Sequence, residues 1–174
     1  MILRLARPED AQDICAIANP IIRDTLITFT TVPRSVDEVR RDIAAHEEGF
    51  QIAEAEGRVI GFASLGTFRS GPGYALTREH SIQLDPVARG RGVGRALMQR
   101  LESIAIAQGV HVLVAGISSA NPGAIAFHAA LGFALVGQMP QVGFKAGQWL
   151  DLILMQKILP VGPDGAPDTG PLAG

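Results

Sequence analysis

Seven residues, Arg89-Gly90-Arg91-Gly92-Val93-Gly94-Arg95, lie between a strand-like segment ending at Leu84 and a segment whose Val93, Ala96, Leu97, Leu101, Ile104 and Ala105 recur at helical spacing. Strand, glycine-rich loop and helix in that order aim several backbone amides at the positive end of a helix dipole, which makes an anion site. Glycine lets a diphosphate approach the main chain closely, and the flanking arginines neutralise its charge. The loop does not end in Gly-Lys-Ser/Thr, so it is not the nucleotide loop built on that ending. The dinucleotide fingerprint fails as well, because Arg95 stands where its third glycine belongs and the apolar run 112–117 occupies the place of its acidic residue.

The rest of the chain is punctuated around this unit. Ile2, Leu3 and Leu5 suggest a first strand, and Pro8-Glu9-Asp10 opens a helix with Ile14, Ile17, Ala18, Ile21 and Ile22 on one face, which Pro20 is expected to kink or end. Ser35-Val36-Asp37-Glu38 has capping-box spacing and starts a second helix running to about Glu47. Strands are expected over 50–54 and 59–66, joined at Glu56-Gly57, and over 77–84 after the glycine-rich turn 70–73. Gly109 ends the central helix, and 110–117 reads as a wholly buried strand. Asn121-Pro122 supplies an N-cap and first helical position, and Gly132 a left-handed exit. Segments 133–138 and 149–157 complete the sheet as antiparallel strands. The pattern predicts an α/β (α+β) layer sandwich: a mixed, mostly antiparallel sheet with helices on both faces.

With 174 residues the chain suits one domain, expected over 1–158, followed by a mobile Pro/Gly-rich tail over 159–174. A net charge of −2 provides no global positive field for nucleic acid or anionic lipid. The apolar run 112–117 is far shorter than the roughly 20 residues that cross a bilayer. Cys15, the single cysteine, forms no internal disulfide, and residues 1–5 lack a secretion signal, so a cytoplasmic location is expected.

Arg89, Gly92 and Gly94 match the Arg/Gln-x-x-Gly-x-Gly/Ala motif, and on this basis the chain resembles the GNAT superfamily of acyl-CoA-dependent N-acetyltransferases. Glu79-His80-Ser81-Ile82, Asn121, Phe127-His128, Leu131-Gly132-Phe133, the run 139–143 and Trp149-Leu150-Asp151 look like its bacterial phosphinothricin and methionine sulfone/sulfoximine group. The likeness covers about residues 2–158. It implies acetyl-CoA as co-substrate, without a metal. The pyrophosphate would sit on the amides of Gly90, Arg91, Gly92, Val93, Gly94 and Arg95, and the pantetheine arm along the main chain of Ile82, Gln83 and Leu84. An amide-rich arm can pair with a strand edge if neighbouring strands splay, here expected between 80–84 and 112–117. Asn121 would touch the arm while also capping its helix.

An amine attacks a thioester as the free base, so the site needs a proton acceptor. The resemblance assigns that role to Glu79, which could otherwise face solvent or pair with Arg78. It places His128 where relatives carry a group that can hydrogen-bond the departing sulfur, although a helix histidine packed beside Phe127 is the plain alternative. Alternation turns His80 to the face opposite Glu79. A main-chain amide near Ile82 can stabilise the oxyanion of a tetrahedral intermediate.

For the acceptor, Arg69 can hold a carboxylate. The resembling group places contacts at Pro72, Gly73 and Tyr74, and Phe29 offers an apolar wall. Gln83 departs from an aromatic common in relatives. The expected partner is a small-molecule amine, and the family implies a homodimer with the 139–149 loop near the neighbouring subunit's site. The expected reaction is acetylation of the α-amine of a small amino acid analogue. A protein N-terminal or lysine acetyltransferase, and a non-catalytic acyl-CoA-binding module, are the alternatives.

Overall fold

The computed structural model describes residues 1–160. The chain folds as β1 (Ile2–Leu5), α1 (Ala11–Asp24), α2 (Val36–His46), β2 (Phe50–Ala55), β3 (Arg58–Thr67), β4 (Thr77–Leu84), α3 (Val93–Ala107), β5 (Val112–Ser118), α4 (Pro122–Ala130), β6 (Ala134–Lys145) and β7 (Gln148–Ile158). The seven strands make one sheet in the order β1-β2-β3-β4-β5-β7-β6.

Local chemistry explains most boundaries. Ser35 Oγ accepts from the Glu38 amide while the Glu38 carboxylate accepts from the Ser35 amide, so two otherwise orphaned donors at the start of α2 are satisfied. Asn121 Oδ1 accepts from the Ala124 amide at the start of α4. The β2–β3 turn carries positive φ at both Glu56 and Gly57, the backbone of a tight hairpin.

Two cores sit on opposite faces of the sheet. Ile14, Ala18, Val39, Phe50, Ile52 and Phe62 pack under α1 and α2. Leu97, Met98 and Leu101 of α3 pack against Leu113, Met155 and Phe133 on the other face, with Ile125 and Phe127 of α4 against their edge. Leu101 and Leu97 are fully enclosed, where truncation to alanine costs about 2–5 kcal/mol.

One break in the sheet decides where ligands can enter. Strands β4 and β5 run parallel and pair only at Thr77 with Val112, Arg78 with Leu113 and Glu79 with Val114. Beyond Glu79 they part, while β4 stays paired with β3 to Leu84 and β5 with β7 to Ser118. The expected splay is therefore present, and its apex is at Glu79.

Several boundaries differ from the sequence reading. Pro20 neither ends nor splits α1, which continues to Asp24 with Ile21 and Ile22 buried. Core burial outweighs the one helical hydrogen bond that proline cannot donate, and Thr25 Oγ1 donates to the Ile21 carbonyl near the helix end. The expected 139–149 loop is mostly strand: β6 runs to Lys145, absorbs irregularity between Met139 and Gly143, and turns at Ala146-Gly147 with positive φ at both residues. β5 is not wholly buried, since Gly116 is exposed. At the start of the expected tail, Leu159 is enclosed and its amide donates to the His111 carbonyl; residues 161–174 lie outside the described residues. No helix among the described residues is long and apolar enough to cross a membrane.

Candidate active site

The loop before α3 has the geometry its sequence predicts. Gly90 and Gly92 have φ of +70° and +78°, and a Cβ at either would meet nothing within 4 Å, so the loop's outer side is open. Gly92 is the left-handed N-cap of α3, and no side chain among the described residues caps that end. The first-turn amides thus face outward beside the exposed Arg89, Arg91 and Arg95. Gly94 is different: a Cβ there would lie 3.2 Å from Phe127 and 3.3 Å from Leu84, so its small size serves helix packing. The residues suit a diphosphate next to an amide-rich arm, because the loop presents open amides and the adjacent edge of β4 is unpaired toward β5 along Ile82, Gln83 and Leu84. Asn121 stands near the end of β5, already engaged as a cap.

Glu79 sits at the apex of the splay. A Cβ built on Gly116 would come within 2.8 Å of its Oε1, so the carboxylate leans across β5 where only glycine leaves room. Glu79 is half-buried and forms no hydrogen bond or ion pair with the described residues; burial pushes its pKa above the ordinary carboxylate value. Arg78 does not take it, since that guanidinium donates to the Ala75 carbonyl.

His80 points the other way, as alternation requires. It is buried, with its Nε2 2.9 Å from Nε2 of His128 and its ring 5.3 Å from that of Phe133. Burial, followed by the neighbouring His128, pushes its pKa down to about 3. His128 Nδ1 lies 2.7 Å from the Ala124 carbonyl, which can only accept, so Nδ1 carries the hydrogen and Nε2 accepts from His80. Burial lowers the pKa of His128 too. Both nitrogens of His128 are therefore engaged inside the protein, on the face of the sheet opposite Glu79. The structure does not bring these two sequence-selected residues together.

The expected acceptor residues scatter. Arg69 is exposed, its guanidinium 5.3 Å from the centre of the Phe68 ring. Pro72, Gly73 and Tyr74 form a single 3-10 turn, with Tyr74 edge-on to Phe68 at 5.8 Å. Phe29 lies instead against β6, where a Cβ on Gly143 would be 3.0 Å from its ring. Its segment is tied down by Ser118 Oγ donating to Leu26 O (2.7 Å) and by buried Lys145 Nζ donating to Thr28 O (3.0 Å). None of these five residues lines the cavity of about 510 Å³ on the α1–α2 face of β4; Gln83, Ser81, Ser64, His46, Arg34 and Asp42 do. Sequence reading selected only Gln83 from that wall, for its main chain and as a departure from relatives that reshapes the acceptor pocket. The available signal for the others was polar Ser64 and Ser81 set directly opposite each other within strands. Among the described residues no group of three metal-ligating side chains stands together.

The family model described as Acetyltransferase (GNAT) family matches residues 19–133. The chain belongs to the GNAT acetyltransferase family. A relative named L-methionine sulfoximine/L-methionine sulfone acetyltransferase, from Salmonella typhimurium, is 40% identical over 97% of this chain and 99% of its own. A phosphinothricin N-acetyltransferase from Alcaligenes faecalis is 32% identical over 95% and 86% respectively. The structure of a putative acetyltransferase from Salmonella typhimurium with its cofactor acetyl-CoA superposes with a TM-score of 0.90 at 38% identity, covering 98% of this chain and 99% of that one. The GNAT fold accounts for the mixed seven-stranded sheet and its four helices.

Proposed function

We propose that this GNAT acetyltransferase moves the acetyl group of acetyl-CoA to the α-amine of a small amino acid or an analogue of the methionine sulfone, methionine sulfoximine or phosphinothricin type. The observation that carries this reading is the half-buried carboxylate of Glu79, without a partner among the described residues, at the point where β4 and β5 part. Bound with its diphosphate on the amides of 90–95 and its arm along 82–84, acetyl-CoA supplies an acetyl group activated as a thioester. Glu79 takes the proton from the acceptor amine as its nitrogen becomes nucleophilic, and the raised pKa of the carboxyl brings it closer to the amine it serves. The Ile82 amide faces the charge that develops on the carbonyl oxygen. Asn121 orients the arm from the start of α4. His128 is a positioning residue: it holds His80, and through it the back of β4.

The cavity of about 510 Å³ on the α1–α2 face has room for a small acceptor. Incubation with acetyl-CoA and a panel of amino acids, sulfones, polyamines and peptides, read by release of free thiol, tests this. Turnover of free α-amino acids is expected. Turnover of peptides alone would transfer the reading to protein acetylation, and acetyl-CoA binding without any transfer would leave a binding module.

The finer proposal for assembly is a homodimer. β6 is the last strand of the sheet, and Leu135, Val136, Met139, Val142, Phe144 and nearby Trp149 are exposed on or beside it, an apolar surface of the kind that marks an interface. Light scattering is expected to give twice the chain mass.

A further inference from the structure

The segment joining α1 to α2, residues 25–35, forms no helix or strand, so its course is set by what holds it. Both ends are fastened to α1. Thr25 Oγ1 donates to the Ile21 carbonyl, and Asn19 clasps Arg34, its Oδ1 accepting from the amide at 2.8 Å and its Nδ2 donating to the carbonyl at 3.0 Å. The middle is fastened elsewhere. Ser118 Oγ donates to the Leu26 carbonyl from the end of β5, and Lys145 Nζ donates to the Thr28 carbonyl from β6. Gly143 and Lys145 are buried while Val142 and Phe144 are exposed, so alternation turns one face of β6 toward this segment, with the Phe29 ring set against Gly143.

These two sets of anchors stand on opposite sides of the gap between β4 and β5, because α1 packs on β2 and β3. The cavity of about 510 Å³ takes one wall from the segment, at Thr28, Thr30 and Val32, and the facing wall from Ser64, Ser81 and Gln83. No described residue of β5, β6 or β7 lines it. Part of the cavity wall is thus held in place by strands that do not border the cavity.

Lysine is a costly anchor at that point. Its ammonium is buried against a neutral carbonyl, and no described carboxylate pairs with it, so it forfeits hydration that a methionine of similar length would not need. What the ammonium adds is position: it fixes the main chain of Thr28, a residue of the cavity wall, relative to β6.

Acetyl-CoA with its arm along 82–84 would lie in the gap and set its width. Resting on the function proposed above, we propose that Lys145, aided by Ser118, is a positioning residue that passes the width of the gap to the wall of the acceptor cavity, so that the acceptor binds more tightly once the cofactor is seated.

The test titrates methionine sulfone calorimetrically into the protein with and without saturating CoA. The expected result is an affinity at least about fivefold higher with CoA, the low end of coupling between linked sites, and a ratio near one in Lys145→Met. In thiol-release assays at saturating acetyl-CoA that variant should raise KM for methionine sulfone by a similar factor, with kcat, melting temperature and CoA affinity close to wild type. Lys145→Arg, which keeps a cationic donor, should recover most of the coupling, and Ser118→Ala should weaken it independently should Lys145→Met fold poorly. A wild-type ratio near one, or an undiminished ratio in Lys145→Met, overturns the role of Lys145 and leaves the acetyltransferase reading in place where thiol is released. If methionine sulfone neither binds nor reacts, that acceptor falls, and hydrogen exchange with CoA alone decides for Lys145. Slower exchange of amides 26–30 on CoA binding in the wild type and not in Lys145→Met upholds it; the same response in both, or none in either, overturns it.

Discussion

Glu79 and His80 stand side by side on β4, and burial moves both toward their uncharged forms, raising the carboxyl and lowering the imidazole to about 3. Their partners differ. Glu79 stands where β4 and β5 part and bonds to nothing among the described residues, whereas His80 faces the core and is bonded to His128. One residue of strand pleat separates a group free to exchange protons with a ligand from a group locked into packing. A shifted pKa is therefore not evidence of chemistry by itself; access on the correct face of the sheet decides.

That contrast can be broken at both residues. The largest expected effect is from Glu79→Gln, which should lower kcat by about 10²–10⁴-fold while leaving thermal stability and acetyl-CoA affinity close to wild type. In the wild type the acid limb of kcat/KM is expected above the ordinary carboxylate range and should vanish in the variant. Melting that collapses with little change in kcat would make Glu79 structural. Gly116→Ala is the next test. The new methyl would crowd Oε1 of Glu79, the movable end of a side chain, so activity should fall by up to about 10²-fold with little change in the urea midpoint.

His80 should show the converse behaviour. Its pKa is lower folded than unfolded, so the unfolded chain binds the extra proton and stability falls with acidity. Its contribution is complete above the unfolded value near 6.5 and is lost as pH drops toward 3. About 2 kcal/mol should be gone by pH 5, measurable by urea unfolding at pH 7 and pH 5, and largely absent in His80→Phe. Equal stability at the two pH values would mean that this imidazole is not held neutral. The smallest effect is expected at Asn121, where alanine removes the cap on the Ala124 amide and costs about 1 kcal/mol. A much larger fall in acetyl-CoA affinity than in stability would identify Asn121 with the arm of the cofactor.

What was legible in the sequence was local. The cap at Ser35 and Glu38, the cap at Asn121, the tight turn at Glu56-Gly57 and the loop 89–95 all depend on residues within a few positions of one another, and they fold as their spacing directs. Glu79 was legible only through its resemblance to a family and through the strand that carries it. The cavity was not, because its wall joins the α1–α2 segment, α2 and three strands. The His80–His128 pair spans 48 positions, and no periodicity announces such a meeting. Pro20 misled because a local rule about helices yields to the burial of Ile21 and Ile22.

The parting of β4 from β5 also bears on the mechanics of the molecule. Among the described residues, three register pairs are the only ladder joining β1–β4 to β5–β7–β6, so the sheet consists of two panels stitched along a short seam. An amide-bearing guest lying in the gap would add rungs that the polypeptide omits. Such a guest would act as a splint as well as a reactant, and amide hydrogens along 80–84 and 115–118 should exchange more slowly once it is seated.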